Sequence, residues 1–179
     1  MTVRFTPTAE EVLEFHKHFY ETDPNHTRSR KRTVWLSAAF YVVIGLLIAA
    51  GNTVPSRKIT AIVIFTVISL LWLLFSPRYI VHVYLKQAKK RMADQENQAM
   101  YYAEREMTFG EDFIHAKTAE AEEKLQWSAI VRGDETNDAY YLFNSTMTAF
   151  ILPKRVLTVS EENELRLLLA KHNLLNPEK

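Results

Sequence analysis

Cysteine is absent from this sequence, and glycine is scarce, with four in 179 residues. The first absence excludes disulfides, thiolate catalysis and cysteine-ligated zinc. The second leaves no glycine-rich loop of the kind that cradles phosphates. A third absence is local. No charged residue occurs from Thr33 to Ser56, a run of 24, or from Ile59 to Pro77, a run of 19. Neither run contains His. Ion pathways and proton relays need titratable groups at membrane depth, so transport by this chain alone is not expected.

What fills the two runs is Ile, Val, Leu, Phe and Ala, with no polar stripe at helical spacing. A helix rises about 1.5 Å per residue, so each run can cross a hydrocarbon core roughly 30 Å thick. The expected spans are about 34–52 and 59–77. Eight residues, Gly51 to Lys58, separate them, which forces a hairpin. A cleaved signal peptide would start nearer Met1 and have a shorter apolar region.

Charge is divided along the chain. Residues 1–97 hold 13 Lys/Arg against seven Asp/Glu, and residues 98–179 hold nine against 14. Arg28, Arg30, Lys31 and Arg32 precede the first span. Arg78, Lys86, Lys89, Lys90 and Arg91 follow the second, and the connecting loop has only Arg57 and Lys58. The positive-inside rule then puts both termini in the cytoplasm. Trp35 and Trp72 lie near the inner ends of the spans, at headgroup level. Gly45 and Ala49 form a small-xxx-small pair, a candidate helix contact within the hairpin or with a second copy of the chain.

Before the membrane, Val3 and Phe5 alternate with polar residues as in a strand. Thr8 and Glu11 then spell a capping box, and Pro24 lies beyond the helix end. Val12, Phe15 and Phe19 share one face of that helix, which is expected to pack on the other cytoplasmic part of the chain. Glu11, Glu14, His16 and His18 have no matching cluster elsewhere, so no metal site is expected. After the membrane, the second helix is expected to run on to about residue 97.

From about residue 100 the pattern turns to period two. REMTFGEDFIHAKT reads as a hairpin turning at Gly110–Asp112. Leu125, Trp127, Ala129 and Val131 read as one face of a third strand, with Trp127 in the core. GDETND, residues 133–138, reads as an acidic turn. AYYLFNS and MTAFILP read as two more strands. A helix from Ser160 puts Leu165, Leu168 and Leu169 on one face, with Glu161, Glu162 and Glu164 near its start. The fold class is therefore α+β: a two-helix membrane hairpin, then an antiparallel module of about five strands closed by a helix. The segments are 1–32 for the N-terminal strand and helix, 33–85 for the hairpin, and 100–174 for the module.

The W-S-A-I of Trp127–Ile130, the AYYLF of Ala139–Phe143 and the FILPKR of Phe150–Arg155 resemble the YcxB-like family of bacterial membrane proteins. The opening RFTPTAEEVLEFHKHFY and the two spans follow that layout too. The resemblance implies a pleckstrin-homology-like cytoplasmic module on a hairpin in the bacterial inner (plasma) membrane, and no assigned activity. A full module of that kind has seven strands, so Val3–Thr6 is expected to add one from across the hairpin. Ser128, His115 and Asp112 lack the spacing of a catalytic triad. No catalytic residue, cofactor or metal is expected, and the acidic module disfavours nucleic acid. The expected partners are the lipid bilayer and a protein. The candidate partner surface is Asp134, Glu135 and Asp138 with Lys154 and Arg155. The alternative is an accessory subunit that packs through its hairpin against a transporter or envelope enzyme.

Overall fold

The computed structural model describes residues 1–94 and 101–175. The chain forms two compact units. One joins Met1–His16 to Ala88–Lys179, and the other is Lys17–Gln87. In sequence, the second unit is an insertion within the first.

The inserted unit is built on two long helices. Helix α1 (Ala9–Thr22) leads into it. Its start is the expected capping box: the Thr8 N–H donates to Glu11 Oε2 at 2.8 Å, and the Glu11 N–H to Thr8 Oγ1 at 3.3 Å. Only Asp23 separates it from α2 (Pro24–Gly51). Asp23 accepts from the His26 N–H at 2.8 Å, and Pro24 fills the first turn, where no N–H is needed. Arg28, Arg30, Lys31 and Arg32 therefore lie on the spanning helix itself rather than on a flank before it. Helix α3 (Pro55–Met92) runs unbroken through Pro77. Residues 95–97 of the expected extension, and residue 100 at the expected start of the module, lie outside the described residues.

Both helices are long and apolar enough to cross a membrane, and only 22% and 11% of their most apolar windows are buried. A soluble core helix would be mostly covered, so these helices are membrane-associated. Their mutual contact uses small residues. Val34, Ala38, Gly45 and Ala49 are the buried positions of α2. A Cβ on Gly45 would come within 2.7 Å of Phe65 Cβ. Ser69 Oγ donates to the Ala38 carbonyl at 3.0 Å, and Trp72 Nε1 donates to Ser37 Oγ at 2.7 Å. The Gly45 contact therefore lies inside the hairpin.

The other unit has two antiparallel sheets. Strands β1 (Thr2–Phe5), β2 (Arg105–Phe109), β3 (Phe113–Lys117) and β4 (Glu122–Gln126) lie in that order in the first. Strands β5 (Arg132–Glu135), β6 (Ala139–Phe143) and β7 (Ala149–Pro153) form the second, and helix α4 (Val159–Lys171) follows. Among the described residues this makes seven strands and a closing helix, an α+β arrangement as expected. The missing strand does come from the N-terminus: Val3 pairs with Met107 and Phe5 with Arg105.

Two details of the sequence reading change in the same place. Among the described residues the module segment holds six strands where about five were expected, because the expected strand over Leu125–Val131 is broken. The Trp127 N–H reaches the Asp112 carbonyl, and Trp127–Ala129 coil into a 3₁₀ turn closed by Ile130 N–H to Trp127 O at 3.0 Å. Burial then steps by three, through Trp127 and Ile130, while Ala129 and Val131 are exposed. The supposed acidic turn begins as β5, since Arg132–Glu135 pair with Phe143–Tyr140 of the wholly buried β6. Cross-strand pairing overrides the turn preference of Gly133 and Asp134. Gly133 is needed for a second reason: a Cβ there would meet the Leu174 carbonyl at 2.6 Å.

The core gathers Val3, Phe5, Met107, Phe109, Ile114 and Trp127 with Tyr140, Leu142, Leu152, Leu165 and Leu169. Trp127 is a core residue, as expected; its indole N–H donates to the Gly110 carbonyl at 3.0 Å, and its ring stacks on His172 at 5.2 Å. Helix α4 starts one residue before Ser160, with a capping box between Thr158 and Glu161.

If β1 is integral, Phe5→Ala opens a cavity in this core and lowers the unfolding free energy by about 3–5 kcal/mol. Denaturation of the full chain in detergent, followed by near-UV circular dichroism, measures this. A change under about 0.5 kcal/mol, as for a surface site, would mean that the strand is dispensable.

Candidate functional site

The charged residues singled out from the sequence lie near the second sheet, and the fold uses most of them internally. Glu135 ends β5. Its Oε1 accepts from Lys154 Nζ at 2.7 Å and from Arg166 at 2.6 Å. Arg166 also reaches Glu162 at 3.2 Å, one helical turn away on α4. Below them Tyr140, fully buried on β6, donates its hydroxyl to Glu162 at 2.9 Å. Lys154 Nζ sits 4.9 Å from the centre of the Tyr140 ring. Burial first, then the bond to Glu162 and the two carboxylate charges, push the Tyr140 phenol above its ordinary value, so it stays neutral and donating. Strand β5, strand β6, the turn Lys154–Val156 and α4 are locked together through this group.

Arg155 closes a longer loop. It makes a bidentate pair with Glu11, 3.1 Å on the second oxygen, and donates to the Thr6 carbonyl at 3.0 Å. Burial alone would push the Glu11 carboxyl up, but the Arg155 guanidinium and the Thr8 donors together hold it below the ordinary value. Nearby, Phe15 packs on Tyr141 and Phe143, at 5.3 and 6.1 Å between ring centres. The N-terminal half of α1 thus packs on the module. His16 follows it inward, and burial, then the Arg91 charge, lower its affinity for a proton.

Asp134 pairs with Arg132 at 3.1 Å. Asp138 is exposed, and its carbonyl accepts from the Lys154 N–H at 2.8 Å. So Glu135 and Lys154 come together, Arg155 turns to the N-terminal segment, and the Asp138 carboxylate alone of the five side chains has no ion pair among the described residues. Sequence reading missed the partners Glu11, Tyr140, Glu162 and Arg166; the i, i+4 spacing of Glu162 and Arg166 was the one local signal.

What the fold leaves open is the outer edge of β4. This strand ends the first sheet, and among the described residues no strand pairs with its far side. Glu122, Glu123 and Lys124 on it are exposed, as is Glu120 before it. The opposite edge, β1, runs beside Lys154–Val156 and is pinned by the Arg155 bond to Thr6. Among the described residues no group of three or more His, Asp or Glu is placed to hold a metal.

Residues 109–169 match the family model for YcxB-like protein. That stretch runs from the end of β2 into α4 and contains all three motifs on which the resemblance rests, so the chain is similar to that family over this stretch. No curated protein and no solved structure matches the chain.

Two measurements follow from this geometry. Glu135→Ala removes the shared acceptor of two cations and should cost about 1–2 kcal/mol, whereas Asp138→Ala should stay within about 0.5 kcal/mol. Equal effects in thermal unfolding would mean that the network carries no stability. The second concerns pH. His16 has a folded-state pKa below its ordinary 6.5, so the unfolded chain takes up the proton first. Its contribution is present above that value and is lost as pH falls below it. Glu11 acts lower, where stability falls as pH drops from its ordinary 4.5 through the depressed folded value. His16→Leu should flatten the stability profile between pH values of about 7 and 5, and Arg155→Met should flatten it below about 4.5. Parallel profiles for wild type and both variants would refute the assignment.

Proposed function

We propose that this chain is a membrane-anchored interaction or scaffolding protein with no catalysis of its own. The hairpin sits in the bacterial inner membrane as a multi-pass anchor, with both termini cytoplasmic. Two features support this orientation. Basic residues crowd the ends of the hairpin away from its loop. The β1–β2 ladder also needs residues before and after the insertion on one side of the bilayer, and two crossings return the chain to the side it left.

The observation that carries the interaction reading is the open β4 edge. Its free main-chain groups can pair with an extended segment of another protein. The exposed Glu120, Glu122 and Glu123 favour a segment rich in Lys or Arg. The surface first expected, around Asp134–Asp138 with Lys154 and Arg155, is occupied by the module's own ion pairs. Our reading therefore moves the partner surface to β4, with Asp138 outside it.

The accessory-subunit reading draws on the outward faces of the hairpin, where Leu36, Phe40, Leu47, Leu74 and Phe75 are exposed. Such a face fits lipid and a neighbouring helix alike. Photo-crosslinking in intact cells separates the two readings, with benzoyl-phenylalanine at Glu123 in one strain and at Leu47 in another. Discrete protein adducts at position 123 are expected, and they should vanish when Glu122 and Lys124 are both replaced by Pro. Adducts at position 47 alone would sink the module reading and make the hairpin the contact.

A further inference from the structure

We propose that the basic end of the hairpin holds a single phospholipid headgroup, a phosphodiester that carries a primary ammonium. A cavity of about 310 Å³ opens there, lined by Glu21, Arg30, Pro77, Arg78 and Val81. Its position follows from the register of the two helices. Gly45 lies against Phe65, the Ala38 carbonyl meets Ser69, and Ser37 meets Trp72. Continued down the antiparallel pair, that register sets Arg30 abreast of Arg78. Both Arg residues lie just outside the uncharged runs, where lipid phosphates sit.

The lining is unsatisfied by the protein. Among the described residues, the Arg78 guanidinium and the Glu21 carboxylate have no hydrogen bond or ion pair. Arg30 has one ring contact, 5.7 Å over Tyr20, and that leaves its donors free. Pro77 supplies no N–H, so the Leu73 carbonyl lacks its helical donor beside the cavity. The neighbouring Ser76 hydroxyl is buried without a partner.

Two planar guanidiniums match the paired oxygens of a phosphodiester, which accept forked hydrogen bonds. A carboxylate next to them would repel a purely anionic headgroup. It suits one whose ammonium can donate to it, and it gains less from a quaternary ammonium, which has no N–H. The chemistry selected is therefore phosphoethanolamine over phosphocholine or phosphoglycerol. This site requires the hairpin to lie in a bilayer and is independent of what the module binds.

The test is native mass spectrometry of the full chain, released from vesicles of equimolar phosphatidylethanolamine, phosphatidylcholine and phosphatidylglycerol. One retained phosphatidylethanolamine per chain is expected, preferred about tenfold over phosphatidylcholine. Arg78→Gln should lower that retention about tenfold, and Glu21→Gln should erase the preference while still retaining lipid. Arg78→Lys keeps the charge without the fork and should fall between, which guards against a variant that merely misfolds; helical circular dichroism checks each. Equal retention of the three lipids by wild type, or unchanged retention in Arg78→Gln, would overturn the proposal. Displacement of the lipid by millimolar inorganic phosphate would also overturn it, since the site would then take free phosphate.

Discussion

The structure depends on one ladder, the pairing of Thr2–Phe5 with Arg105–Thr108 across an insertion that contains two apolar helices. Without β1 the first sheet would expose β2 as an unpaired edge and lose Val3 and Phe5 from the core. The closure is distant in sequence, and bringing such ends together costs entropy before any contact returns it. Charge chemistry at the other side of the same strand offsets part of that cost. Arg155 reaches Glu11 and the Thr6 carbonyl, and Phe15 lands on Tyr141 and Phe143. The N-terminal segment is held from two sides, by main-chain bonds on β2 and by Arg155 beyond β7.

The module satisfies much of its own charge. The strands after the insertion pair as local hairpins, and side-chain ion pairs tie the closing helix and the turn after β7 to them. Glu135, Lys154, Glu162 and Arg166 supply fixed points between β5, the 3₁₀ turn after β7 and α4. Each pair is partly exposed and modest by itself, but they share acceptors, and Tyr140 anchors them to the buried sheet. The acidic character of the second half is thus partly structural, with Glu135 and Glu162 neutralised where they stand.

What could be read from the sequence follows from how local each signal is. The spans were legible because absence of charge over 24 and 19 residues is a local property. The capping box of Thr8 with Glu11 was read from its spacing; that of Thr158 with Glu161 has the same spacing but was passed over, and the helix was expected to start at Ser160. The N-terminal strand was legible from two alternating apolar residues, once the resemblance left a strand unfilled. Strand β5 was hidden because Gly133, Asp134 and Asn137 spell a turn, while what makes it a strand is its pairing with the buried strand that follows, Arg132 with Phe143 through Glu135 with Tyr140. Trp127 was placed in the core on strand parity, yet it reaches the core through a three-residue coil. The ion pairs within the candidate surface were not legible because their partners are distant in sequence: Glu11 lies 144 positions from Arg155.

With those charges paired within the module, the outer edge of β4 is left without a partner strand among the described residues. Natural proteins blunt such an edge with charge, and Glu122, Glu123 and Lys124 do so here. Blunting with two carboxylates discourages a second copy of the same acidic strand, because like charges would face each other across the ladder. It does not discourage a strand of opposite charge. On the reading proposed above, the same composition that protects the module against pairing with itself would favour a basic partner strand.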